Sequence, residues 1–216
     1  MENINIVDSA IEYVKEIFKN DFSGHDYFHT MRVYNLAVTI AKSENANLEL
    51  VSLAALLHDV DDAKLSPDTH KEKGNAVSFM KLHNLPKDKI DKICEMINEI
   101  SFAGTDSVTP KSIEGKCVQD ADRLDAIGAI GIARAFAYGG NRNRQMYNPD
   151  IKPLENMNNE SYIKNENSTT INHFYEKLLL LKNMMNTNTA IKIAQKRDDF
   201  MKAYLDEFFA EWNSER

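Results

Sequence analysis

The chain has 216 residues, 43% of them hydrophobic and 27% charged, which is enough to bury a core and unlike a disordered segment. Its formal net charge of −7 argues against a general nucleic-acid binder, since such a protein needs a basic excess to neutralise phosphates. The amino-terminal stretch is amphipathic and acidic with no continuous apolar run, so neither a signal peptide nor a membrane span is expected, and the protein reads as cytoplasmic.

Helical periodicity recurs along almost the whole chain, and no run of alternating β-branched residues makes a convincing strand. Val7, Ala10, Ile11, Val14, Ile17 and Phe18 form a first apolar stripe. Val33, Leu36, Ala37, Ile40 and Ala41 form a second, on a helix expected over about 26–43 and stopped by the polar SENAN stretch. A third helix is expected over about 48–60, then, after the polar SPDTHKEKGN, two more over about 72–84 and 87–100. AGTDSVTP reads as a loop by its Gly, Asp and Pro content. The stretch from about 113 to 137 reads as one helix, with Gly128 and Gly131 marking close approach of another backbone. Residues 138–168, rich in Asn and Gly and interrupted by Pro149 and Pro153, read as an irregular loop or lid. Two helices close the chain, over about 170–186 and 188–213, the last with Phe200, Tyr204, Phe208 and Trp212 at i, i+4 spacing and therefore assigned to the core. Cys94 and Cys117 sit in apolar periodic segments and read as buried thiols, not as a disulfide. The expected architecture is an all-α, irregular helical bundle forming one domain over 1–216.

Against that background the stretch AALLHDVDDAKL is anomalous, because an apolar helix face gives way to His58, Asp59, Asp61 and Asp62. His29 shares a stripe with Val33, Leu36 and Ile40, and His58 lies four residues from Ala54, so both imidazoles face inward. Asp122 shares a stripe with Ala121, Asp125, Ala129 and Ile132. Burying ionised carboxylates without partners costs several kcal/mol. A divalent cation removes that cost if two imidazoles and two carboxylates converge on it, a mixed N and O set that suits Mn, Fe, Co, Ni or Zn. Any one such His is more often a hydrogen-bonded core residue, and any one Asp a helix cap or salt-bridge partner.

The order His29, then His58-Asp59, then Asp122 resembles the H…HD…D signature of the HD-domain phosphohydrolases, a metal-dependent all-α superfamily. The blocks GHDYFHTMRV, LLHDVDDAKL, QDADRLDAIGAIGIARAF and TTINHFYEKLLLLK are similar to a bacterial subgroup of small HD hydrolases, some of which cleave nucleoside triphosphates to monophosphate and pyrophosphate. The resemblance implies His29, His58, Asp59 and Asp122 as ligands of one divalent ion, its identity open among Mn, Mg, Fe, Co, Ni and Zn. Asp62, four residues beyond His58, is the expected base if the helix runs one more turn, and Asp61 is left to solvent. For phosphate, the candidates are His25, Lys64, Arg142, Arg144, His173 and Lys177. His70 and His83 fall where some HD proteins place ligands of a second metal, but without a repeated ligand spacing. The expected partner is a small phosphate compound such as a nucleotide, with no nucleic-acid polymer and no membrane; a homodimer is left open. The competing reading is a metal-binding regulatory or ligand-binding module without catalysis.

Overall fold

A computed structural model of the chain describes residues 5–19, 26–62, 66, 68–165 and 168–216. Among them are ten α-helices: α1 (Ile6–Ile17), α2 (Tyr27–Glu44), α3 (Leu48–Leu57), α4 (Gly74–Leu82), α5 (Lys87–Asn98), α6 (Ile113–Asp125), α7 (Gly128–Asn141), α8 (Asn159–Lys164), α9 (Thr170–Glu176) and α10 (Asn188–Trp212). Two 3-10 helices, His70–Glu72 and Leu178–Met184, complete the set. The described residues contain no strand, only an isolated bridge between Gly104 and Asn158. The all-α expectation therefore holds.

The chain, read from sequence as one domain, divides into two compact units, residues 1–102 with 108–122 and residues 103–107 with 123–216. In the first, α3 is the central element. Its sequence LELVSLAALL is apolar on every side, as a helix surrounded by others must be, and Val51 through Leu57 are all buried. Helices α1, α2 and α5 pack around it, and α4 packs on α5. Asn47 caps α3 by accepting from the amides of Glu49 and Leu50, while its own amide donates to Glu114 of α6.

In the second unit, α7 and the Leu178–Met184 turn pack on α10, and α9 packs on both α7 and that turn. The expected continuous helix over 113–137 is instead two, α6 and α7, broken at Ala126 and Ile127. Gly128 adopts a φ of +77°, and a Cβ there would lie 3.0 Å from the Arg197 side chain, so a left-handed turn and a close neighbour together demand glycine. The expected helix over 170–186 likewise shortens to α9 followed by 3-10 turns. The aromatic stripe of α10 is core only in part: Phe200 and Trp212 are 53% and 47% exposed, whereas half-buried Tyr204 stacks on the buried Phe174 ring at 5.9 Å. The buried face of α10 is instead Ala190, Ala194, Asp198, Met201 and Leu205, and Phe208 and Trp212 lean on Tyr147 in an aromatic cluster of their own.

Candidate metal centre

Four side chains of the first unit, His29, His58, Asp59 and Asp122, come together. Asp26 caps α2 and accepts from the His29 amide at 2.7 Å, which fixes the first turn and turns the His29 ring inward, where it is 1% exposed. His58 is the C-cap of the buried helix α3, and Asp59 follows at once. Asp122 is placed by α6, whose buried Gln119, one turn earlier, donates its amide to the carbonyls of Glu99 (2.6 Å) and Val108 (2.9 Å).

These elements bring one donor atom each from His29, His58 and Asp59 within 4.8 Å of one another. His29 Nε2 stands 3.5 Å from Asp59 Oδ2 and 3.5 Å from Asp122 Oδ1, and His58 Nε2 stands 3.2 Å from Asp59 Oδ2. Donors sharing a cation at about 2.0–2.2 Å lie roughly 3.0–3.5 Å apart, so the spacing fits a shared ion. His58 Nδ1 donates to the Ala55 carbonyl at 2.8 Å, which fixes the tautomer that leaves a lone pair on Nε2. That Nε2 is buried, with the Asp59 carboxylate 3.2 Å away. The carboxylates keep access to solvent, Asp59 at 14% and Asp122 at 28% side-chain exposure, which leaves an open side.

Burial pushes the His58 pKa down, but the charges of Asp59 and Asp122 and the Ala55 carbonyl push it up more strongly, to about 9. The carboxylates thus attract positive charge, and a proton on His58 is the competitor of a metal ion.

The remaining candidates are distributed unevenly. Helix α3 stops at Leu57 and residues 58–61 form a turn, so the extra helical turn expected to lift Asp62 to the face of His58 is missing. Asp62 is half-buried with its amide donating to the Asp59 carbonyl at 3.0 Å. Asp61, assigned to solvent from sequence, is 1% exposed and accepts from the amides of Asn75 and Ala76 at 3.0 Å each. This contact is missed by local reasoning because cap and helix lie 14 and 15 residues apart. His70 donates from Nδ1 to the Asp61 carbonyl, and His83 packs on Phe79 with ring centroids 4.5 Å apart; neither joins the donor group. In the second unit, His173 lies close enough to Arg144 and Lys177 to feel both charges. With burial as the larger cause, they hold its pKa down to about 3, so it is uncharged at neutral pH. The Arg142 guanidinium lies 5.5 Å over the Tyr138 ring. His25 and Lys64 lie outside the described residues. Both thiols are free, Cys117 buried and Cys94 half-buried. No described helix is long and apolar enough to cross a membrane.

Residues 26–127 match the family model for the HD domain, a span that contains all four donors. A solved Lactobacillus plantarum protein is 40% identical with a TM-score of 0.87, covering 99% of this chain and 100% of that one. An HD-superfamily hydrolase from Bacillus thuringiensis is 38% identical with a TM-score of 0.75, covering 96% of each chain. Bacillus subtilis YpgQ, solved in complex with ADP, is 37% identical with a TM-score of 0.74, covering 95% of this chain and 97% of its own. With the HD motif, the donor geometry and these relatives in agreement over nearly the whole chain, the protein belongs to the HD superfamily of hydrolases.

Proposed function

We propose that the protein is a metal-dependent phosphohydrolase acting on a nucleotide, and that it cleaves a nucleoside triphosphate to the monophosphate and pyrophosphate. The observation that carries this reading is the convergence of the His29, His58 and Asp59 donors, with Asp122 3.5 Å from His29. The ADP complex of YpgQ supports a nucleotide as the ligand class. A bound divalent cation supplies Lewis acidity toward a phosphoryl oxygen and lowers the pKa of water.

The chain's own groups do the rest. His29 and His58 present Nε2, and Asp59 and Asp122 supply the charge that balances a dication. Asp62, just past the turn, keeps its sequence assignment as the base that takes the proton of the attacking water as the P–O bond to the leaving pyrophosphate breaks. Arg142, Arg144, His173 and Lys177 keep their sequence assignment as phosphate-binding candidates, with His173 uncharged. His25 and Lys64 retain the same assignment on sequence grounds. The acidic chain suits a small soluble substrate in the cytoplasm better than a nucleic-acid polymer.

The test is a screen of nucleoside tri-, di- and monophosphates with Mn, Mg, Co and Ni, following phosphate and pyrophosphate release separately. Pyrophosphate release lost in Asp59→Ala is the expected result. Ion binding without hydrolysis of any of them would favour a regulatory module, and orthophosphate release would make the enzyme a phosphatase.

A further inference from the structure

Asp59 lies past the end of α3: the helix ends at Leu57, and residues 58–61 form a turn. Asn75 and His70 hold that turn. Asn75 donates its side-chain amide to the Val60 carbonyl at 2.9 Å and shares it with Thr69 Oγ1 (3.1 Å) and Ser66 Oγ (3.2 Å). His70 donates from Nδ1 to the Asp61 carbonyl at 2.8 Å. The Asp61 carboxylate in turn accepts from the amides of Asn75 and Ala76. Both peptide carbonyls after Asp59 are therefore held, and both carboxylate oxygens of Asp61 are used.

Helix α4 is built to need this contact. Its N-cap, Lys73, sits at φ 52° and makes no side-chain cap, so the orphan amides of the first turn take their acceptor from Asp61. A carboxylate at a helix N-terminus also gains from the macrodipole. The bond works in both directions: it caps α4 and it locks the turn that carries Asp59.

We propose that Asp61, Asn75 and His70 form a latch of positioning residues that holds the His58-Asp59 pair in its ion-binding geometry. This rests on the metal reading given above. Partners that orient metal ligands are worth about 10–100-fold in affinity when removed, so the latch has a readout distinct from stability.

The experiment is Mn(II) titration of the full chain, followed by electron paramagnetic resonance or calorimetry, at a temperature where circular dichroism shows each variant folded. Asp61→Ala and Asn75→Ala are expected to weaken Mn(II) binding by about 10–100-fold. Asp61→Asn, which keeps one acceptor oxygen, is expected to fall between Asp61→Ala and the native chain. The control is Thr187→Ala, which removes the cap of α10 and is expected to lower stability while leaving Mn(II) affinity unchanged. Should Asp61→Ala fail to fold, His70→Ala decides, because it removes one bond to the turn from a half-buried side chain. Folded latch variants that bind Mn(II) as tightly as the native chain overturn the latch and leave the metal reading standing. A native chain that binds no Mn(II) overturns both.

Discussion

In protein stripped of divalent ions, stability should fall as the pH rises from 6.5 to 9, and His58 should be the cause. The imidazole has a pKa of about 9 in the folded chain against an ordinary value of 6.5. A raised folded pKa means that the folded state binds the extra proton. The stabilisation is therefore complete below the unfolded value and is lost as the pH rises through the folded one. At 1.36 kcal/mol per pH unit the difference is at most about 3 kcal/mol, or roughly 6–12 °C in melting temperature for a chain of this size. Saturating Mn(II) needs the neutral imidazole, so binding below pH 9 releases a proton and tightens about tenfold per pH unit. The assay is scanning calorimetry from pH 6.5 to 9.5, with chelator and with excess Mn(II). The stripped native protein should lose stability across that range, whereas His58→Gln should not. Equal slopes in native protein and His58→Gln, or Mn(II) binding without proton release at pH 7, would refute the reasoning.

Asp198 is 1% exposed between Lys182 at 3.2 Å and Lys202 at 2.8 Å, so Asp198→Ala should cost about 1–3 kcal/mol in urea unfolding, the lysines recovering part of the loss by hydration. Gly128→Ala should destabilise by about 1–3 kcal/mol because of its positive φ and the Arg197 contact. Gly140→Ala, where a Cβ meets nothing within 4 Å inside α7, should be neutral or stabilise by up to about 1 kcal/mol. Burial raises the Cys117 thiol to about 12, so labelling with a thiol reagent at pH 8 should modify half-buried Cys94 first and reach Cys117 only on unfolding. Simultaneous labelling of both thiols in the folded protein would contradict that burial.

Most of the helices, and the convergence of His29, His58 and Asp59, were legible because each rests on a local regularity. The stripe through His29 and Val33, and the apolar run entering His58, are properties of neighbours along one helix, and the motif order joined them to Asp122. What escaped depends on contacts across sequence distance. Nothing near Asp61 announces that its carboxylate caps a helix beginning at Gly74, and nothing near Gly128 shows that Arg197 will lie against it. The stripe from Phe200 to Trp212 misled in part for the same reason: periodicity identifies a face, but Ala190, Ala194, Asp198, Met201 and Leu205 lie on the buried side of α10, while Tyr204 stacks on Phe174 and Phe208 and Trp212 pack on Tyr147.

The central claim is that His29, His58, Asp59 and Asp122 hold one divalent ion. Metal content measured after chelation, reloading with Mn(II) and removal of free ion tests it most directly. One ion per native chain, with that ion lost in Asp59→Ala and in Asp122→Ala, is the predicted result. A native chain that retains no ion, or an Asp59→Ala chain that retains a full equivalent, would contradict it.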